Sequence, residues 1–284
     1  MDYRVAGVSF LNTIPLIEGL KAEPGWGELS LEIPSALADR LADGRTDVAL
    51  VPAAEILRGR TGGLLSPTGI ACKGPVNSVA LFAAGSPADL DRVRADRGSR
   101  SSVALLKILL AEVYGVFPEF VTVEPEPGRP LPTGEGALII GDRCFAQQAF
   151  MEHDGCNDLK MFDLGELWLE LTGLPFVFAA WAAAPDLARR RPPVEVAGLG
   201  RLLTEARDYG LVRLDELAAR EASHGKLGHG GEASPEAIAY YFKHSLRFVI
   251  GEEELAGMKR FHELCRQHGL APDLPFPELL FPRS

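Results

Sequence analysis

Apolar positions along this chain come in short runs broken by polar punctuation, at the spacing of alternating strands and helices. Val5 to Val8 is a compact apolar run and reads as a strand. A loop holding Asn12 and Thr13 follows, and Pro15 sits where a helix through Leu16, Ile17 and Leu20 begins. Leu29 to Ile33 alternates like a second strand. Ser35 is placed to N-cap a helix over Ala36 to Leu41, which Asp43-Gly44 closes. Val48 to Val51 is a buried strand ending at Pro52, and Ala53 to Leu57 starts another helix. The opening third therefore reads β-α-β-α-β-α, the order of a doubly wound layer.

The middle of the chain continues in the same texture. Strands are predicted at Asn77 to Ala83, Val93 to Asp96, Phe120 to Val123, Ala137 to Ile140 and Pro175 to Ala183. Val103 to Tyr114 is apolar nearly all round and predicts a buried helix. A helix is expected around Cys144 to Phe150, and Asp163-Leu164-Gly165 precedes an amphipathic turn through Trp168 and Leu171. Beyond Pro185 the pattern is helical: Val194 to Tyr209, Leu214 to His224, Pro235 to Val249 and Glu252 to His268, then a proline-rich tail. The apolar strands 77–83 and 175–183 bracket a compact α/β block. The simplest division inserts one lobe into another: lobe 1 from 1–82 and 180–284, lobe 2 from 83–179, with a ligand cleft between them. One continuous domain is the rival that strand order alone leaves open.

Composition narrows the function classes. The 284 residues suffice for two modest domains. A net charge of -10 argues against a nucleic-acid partner, which needs concentrated Lys and Arg, but leaves room for a local anion site. The apolar runs are too short and broken for a membrane span. The cysteines Cys72, Cys144, Cys156 and Cys265 form no CxxC pair and no zinc spacing, which suits reduced thiols. No basic region with an apolar core precedes the first strand, so a cytoplasmic location is expected.

Nucleotide and metal motifs are missing: no GxGxxG, no P-loop, no HExxH and no GxSxG. His224 and His229 lie among glycines, which reads as a helix connection better than as a metal site. Polar residues just after apolar strands stand out instead, because open α/β sheets bind ligands beyond their strand ends. They are Ser9, Asn12 and Thr13; Asn77 and Ser78, which open a strand; Ser99, Arg100, Ser101 and Ser102; and Gly141 and Asp142. Ser99 to Ser102 precede a long helix, where hydroxyls and free N–H groups attract an anion and Arg100 adds a bidentate grip on a carboxylate. A plain N-cap needs only one of those serines. Asn12 reads as a ligand-orienting amide or as an Asx turn, and Asp142 as a cleft carboxylate or a helix cap. Trp181 and Phe178 read as core more than as a ligand platform.

Several segments together resemble the chorismate dehydratases of the futalosine route to menaquinone, the MqnA family. They include Ser9-Phe-Leu-Asn-Thr-Ile-Pro-Leu16, Asp47-Val-Ala-Leu-Val-Pro-Ala53, Val76-Asn-Ser-Val-Ala-Leu-Phe82 and Asp96-Arg-Gly-Ser-Arg-Ser-Ser-Val-Ala-Leu105. Ala137-Leu-Ile-Ile-Gly-Asp142, Asp163-Leu-Gly-Glu-Leu-Trp168 and Thr172-Gly-Leu-Pro-Phe-Val-Phe-Ala179 continue it. The resemblance implies a type 2 periplasmic-binding-protein-like fold with two lobes and a cleft between them. It also implies conversion of chorismate to 3-[(1-carboxyvinyl)oxy]benzoate with no metal or organic cofactor. Asn12 and Asp142 become the candidate catalytic residues. Ser9, Thr13, Asn77, Ser78, Ser99, Arg100, Ser101, Ser102 and Gly141 become the candidate substrate contacts. No histidine falls in a predicted cleft segment, so the base is either Asp142 or the substrate's own enolpyruvyl carboxylate. The sister MqnD activity on a dehypoxanthine futalosine derivative, and a solute-binding protein for a small carboxylate, are the competing readings. The apolar helices and tail leave a homodimer surface open.

Overall fold

The computed structural model describes residues 2–124, 126–153, 158–225 and 234–281. Along the chain, β1 (Tyr3–Val8), α1 (Ile14–Ala22), β2 (Gly27–Glu32), α2 (Pro34–Ala42), β3 (Val48–Pro52), α3 (Ala53–Leu57) and β4 (Leu64–Cys72) come first. There follow β5 (Val79–Ala84), β6 (Arg92–Asp96), α4 (Ser101–Leu109), β7 (Glu119–Val123), β8 (Glu135–Ile140), α5 (Asp142–His153), β9 (Leu159–Asp163) and α6 (Leu164–Thr172). The chain returns through β10 (Phe176–Ala183), α7 (Leu187–Arg190), α8 (Pro193–Leu211), α9 (Leu214–Ser223), α10 (Pro235–Tyr240), β11 (Arg247–Val249) and α11 (Glu252–Gln267).

Two sheets result. The first runs β11-β4-β10-β3-β1-β2 and the second β7-β6-β8-β5-β9. In the first, β1 pairs parallel with β2 and β3, while β10 runs antiparallel between β3 and β4. β3 and β10 are buried at every position, as central strands with both faces covered are. Helix α8 lies across α1 at close range. A Cβ on Gly210 would stand 1.9 Å from the Pro15 carbonyl oxygen, and one on Gly19 2.5 Å from Ala206 Cα. The architecture is an α/β fold of two lobes with a cleft between them.

Sheet membership corrects the expected boundaries. β5 pairs only within the second sheet and β10 only within the first. Cuts at 82/83 and 179/180 therefore divide both strands. The chain changes sheet between Cys72 and Val79, and returns between Asp163 and Phe176. Other expectations shift locally. Helix α2 begins at Pro34 with Ile33 in the cap position, so Ser35 is helical rather than capping. The buried helix from 103 starts at Ser101 and ends in a π-helical turn, Leu110–Tyr114. The helix expected over 235–249 is three things: α10, a π-helical turn over Tyr241–Ser245, and strand β11. The tail is tied down, with Leu64 N–H bonding the Glu278 carbonyl at 2.9 Å and Leu280 N–H bonding the Leu64 carbonyl at 2.8 Å. Cys72, Cys144 and Cys265 are free and buried. Cys156, His229, Gly228, Gly230, Gly231 and Pro282 lie outside the described residues.

Candidate functional site

Between the two sheets lies a cleft of about 530 Å³ of atom-free space. Its walls are strand ends and the segments just past them: Val8, Phe10 and Asn12 after β1, Pro52 at the end of β3, Ile140 and Gly141 after β8, and Phe178 and Ala179 in β10. Its polar rim is Gly98 to Ser102, at the start of α4, with Ser78 opposite.

The loop into α4 is built by Asp96. Its Oδ1 accepts from Gly98 N–H at 2.8 Å, its Oδ2 takes Arg143 at 2.9 Å, and its carbonyl accepts from Ser99 N–H at 3.0 Å. This aims the α4 N-terminus at the cleft. No side chain caps that helix, and the residue in the cap position is Arg100. A simple N-cap therefore does not explain the serines. Ser99 Oγ is buried with no hydrogen-bond partner. An unpaired buried hydroxyl beside uncapped helical amides is an anion-seeking arrangement.

The other candidates separate cleanly. Asn12, Ser78, Ser99, Arg100, Ser101, Ser102 and Gly141 line the cleft, whereas Ser9, Thr13, Asn77 and Asp142 do not. Ser9 is solvent-exposed. Thr13 is fully buried and bonds Asn12 Oδ1 at 3.4 Å. Asn77 is a structural linchpin at φ 61, with its N–H on Asp163 Oδ2 at 2.7 Å and its Nδ2 on Ser245 Oγ at 2.8 Å. Asp142 Oδ1 accepts from Leu11 N–H at 3.1 Å, so this carboxylate binds the turn before α1 across the lobes instead of facing the cleft. Arg100 lines the cleft, but its guanidinium is taken by Glu55 at 2.8 Å and Asp39 at 3.2 Å. Those two carboxylates engage both of its terminal nitrogens. Ser101 is likewise spent, accepting from Ala54 N–H at 3.1 Å and donating to the Phe178 carbonyl at 2.9 Å. Gly141 has φ +64, and a Cβ there would press on the Phe10 ring at 3.0 Å.

Sequence reasoning missed the apolar walls. Val8, Phe10, Ile70, Val76 and Phe178 enclose the rim, and an apolar strand residue carries no mark of whether its neighbour is core or ligand. Phe178 thus lines the cleft, while Trp181 is core as expected. Tyr241 was also missed. It sits behind the rim, 4% exposed, with its hydroxyl on Ser78 Oγ at 2.7 Å. Among the described residues no group of three His, Cys, Asp or Glu side chains is placed to hold a metal.

The sequence profile of a family described as "Menaquinone biosynthesis" matches residues 3–267. The chain belongs to this family. It is 33% identical over 285 residues to a protein of Thermus thermophilus named chorismate dehydratase, covering 96% of each chain. Solved structures agree on the fold. An Archaeoglobus fulgidus protein superposes with a TM-score of 0.68 at 18% identity, covering 95% of this chain and 98% of its own. A Candida albicans protein described as having the generic periplasmic binding protein fold gives 0.61 at 15% identity, with 94% and 90% covered. The aliphatic sulphonate binding protein SsuA of Escherichia coli gives 0.58 at 16%, with 100% and 94% covered. The chain's architecture is therefore the periplasmic-binding-protein-like pair of lobes, with the cleft between them.

Proposed function

We propose that the protein is a chorismate dehydratase, a carbon–oxygen lyase that converts chorismate to 3-[(1-carboxyvinyl)oxy]benzoate and water in menaquinone biosynthesis. The observation that carries this reading is the near-full-length match to the Thermus thermophilus enzyme. The cleft chemistry agrees with it.

Aromatisation requires loss of the C3 hydrogen and the C4 hydroxyl. The C3–H bond is acidified through the adjoining double bond by the ring carboxylate. Its electron pair moves into the ring and that carboxylate, then returns to expel hydroxide from C4. Proton and hydroxide leave as water, so nothing is oxidised or reduced. The enzyme must hold a dianion and stabilise charge as it grows on the ring carboxylate. The α4 amides and the free Ser99 hydroxyl are the groups suited to that carboxylate. Arg100 acts indirectly, by holding the lobes together, because Asp39 and Glu55 occupy it.

The proton acceptor in this reading is the substrate's own enolpyruvyl carboxylate. Among the described residues, Arg100 is the only ionisable one lining the cleft, and it is a permanent cation. Asp142, the alternative base, is engaged with Leu11 outside the cleft wall. Intramolecular transfer needs only that the enzyme select the reactive conformer. Asn12, half-buried at the cleft, is the residue proposed to orient the enolpyruvyl arm or the leaving hydroxyl.

The test is incubation with chorismate, followed by chromatography for the aromatic enol ether. Product should accumulate with the wild type, and Asn12→Ala should lower kcat roughly 100-fold, the loss typical of a misplaced reactant, with the melting temperature unchanged. No product at high enzyme concentration sinks the reading. Tight binding of unaltered chorismate would point to a solute-binding role instead.

A further inference from the structure

The last part of the chain reaches the cleft rim through one side chain. Tyr241 opens the π-helical turn Tyr241–Ser245 and donates its hydroxyl proton to Ser78 Oγ at 2.7 Å. Four residues on, Ser245 Oγ accepts from Asn77 Nδ2 at 2.8 Å. One turn thus holds two consecutive residues of the crossover between the sheets. Gln148 Nε2 holds the same place from the other lobe, bonding the Asn77 carbonyl at 2.7 Å. The Asn77 backbone is left-handed, a conformation that costs a non-glycine residue free energy unless its surroundings over-determine it. π-turns recur at functional sites because the inserted residue re-aims its neighbours. The Asn77 bonds hold the crossover, whereas the Tyr241 bond reaches the side chain of Ser78, a cleft residue.

The direction of the bond matters. A serine hydroxyl has one proton and two acceptor lone pairs. Tyr241 fills one lone pair and is the partner of that hydroxyl among the described residues. The Ser78 proton is not used by that bond, and Ser78 lines the cleft. Burial raises the Tyr241 phenol pKa far above neutral, with Ser78 and Asn12 hydrogen bonds opposing it only in part, so the donor persists across the working pH range.

We propose that Tyr241 is a positioning residue, locking Ser78 as a hydrogen-bond donor to a negatively charged oxygen of the cleft's ligand. The identity of that ligand rests on the dehydratase reading; the bond direction does not. Linked hydrogen bonds polarise one another, so the Tyr241–Ser78 pair acts as one donor stronger than an isolated serine.

Tyr241→Phe removes one oxygen and keeps the ring in its edge-to-face contact with Phe145, whose centroid is 5.0 Å away. Turnover of chorismate and calorimetric binding of an unreactive dianion, 3-(carboxymethoxy)benzoate, are measured for Tyr241→Phe, Ser78→Ala and the double variant. Each single variant should lower kcat/KM about tenfold and weaken the dianion about threefold, in the range of one lost charge-assisted bond. The double variant should be no worse than Ser78→Ala alone. Ser245→Ala, which cuts the neighbouring bond of the same turn, should show no such coupling to Ser78. Losses that multiply in the double variant overturn the proposal, as does Tyr241→Phe binding and turning over like the wild type. If the wild type binds the dianion but leaves chorismate unchanged, the dehydratase reading fails, and the binding cycle still decides the role of Tyr241.

Discussion

Three consecutive polar residues at the rim have different fates, and the differences are measurable. Ser99 Oγ is buried without a partner, whereas Ser101 Oγ carries two bonds into the other lobe. A buried unpaired hydroxyl costs about 1–3 kcal/mol, a cost an enzyme bears where a ligand repays it. Ser99→Ala is therefore expected to lower kcat/KM about tenfold while leaving the melting temperature equal or higher. Ser101→Ala should instead lower stability by about 1–2 kcal/mol, because it strands the Ala54 N–H and the Phe178 carbonyl. Denaturant melts and steady-state kinetics on the pair check both; a destabilised Ser99→Ala with unchanged kinetics contradicts the assignment. The sequence made this rim legible as chemistry: serines, an arginine and a glycine before a long helix. It could not assign the roles, because each partner lies far along the chain. Ala54 and Phe178 are 47 and 77 residues from Ser101. Arg100 looked like a ligand clamp for the same reason: Asp39 and Glu55 stand 61 and 45 residues away.

At the scale of elements, the strands with clear flanking punctuation were legible and the cryptic ones were not. β1 and β10 stand out as apolar runs, and β3, β5 and β8 as apolar runs that stop at Pro52, Gly85 and Gly141. β4 (LLSPTGIAC) carries Ser, Pro, Thr and Gly inside a strand that is buried almost throughout, and its polar atoms are satisfied locally, Ser66 Oγ with Thr68 Oγ1 at 2.7 Å. β9 alternates weakly, and β11 is three residues formed only by pairing with β4. Tertiary pairing makes these strands, so local propensity does not announce them. The same long-range logic explains Asp163, which the sequence placed merely before an amphipathic turn. Its Oδ1 accepts from Val76, Gly165 and Glu166 N–H at 3.0, 2.8 and 3.1 Å, and its Oδ2 from Asn77 N–H. It thus N-caps α6 and grips the outgoing crossover at once, tying together both connections between the sheets. Asp163→Ala should leave four N–H groups without their acceptor and destabilise the fold by about 3–5 kcal/mol, as a broken buried charged network does. Asp163→Asn keeps one acceptor oxygen and should lose less. Chemical denaturation of both variants gives the comparison, and equal losses would show that packing rather than the N–H cradle holds the crossovers.

Two lobes joined by two connections bind a ligand only if closing costs little. Among the described residues, bonds between the lobes include Arg100 to Asp39 and Glu55, Asp142 to Leu11, Ser101 to Ala54 and Phe178, Tyr241 to Ser78, and His268 to Glu112. Arg100 links the lobes through Glu55, which is almost fully buried and receives Arg58 and Arg60 as well. Removing Arg100 leaves both carboxylates partnered, through Arg58 and Arg60, so the first lobe should remain folded. What weakens is closure. Arg100→Ala is expected to raise KM about tenfold with kcat within about twofold, because binding energy is then diverted to closing the lobes. In solution scattering the ligand-free variant should exceed the radius of gyration of about 19 Å expected for a compact chain of this length, and contract when dianion is added. Acid should mimic the variant. Burial acts to raise the Glu55 and Asp39 carboxyls, but hydrogen bonds and charge from the arginines outweigh it and hold both below their ordinary values of 4.5 and 3.8. A depressed pKa means stabilisation that is complete above the unfolded value and lost as pH falls through the folded one. The wild type should therefore stay closed at neutral pH and begin to open only below about pH 4, where Arg100→Ala shows no further transition of this kind. If the variant's radius and KM match the wild type at neutral pH, closure is set by the apolar cleft walls and the Ser101 bonds, and the charged latch is incidental.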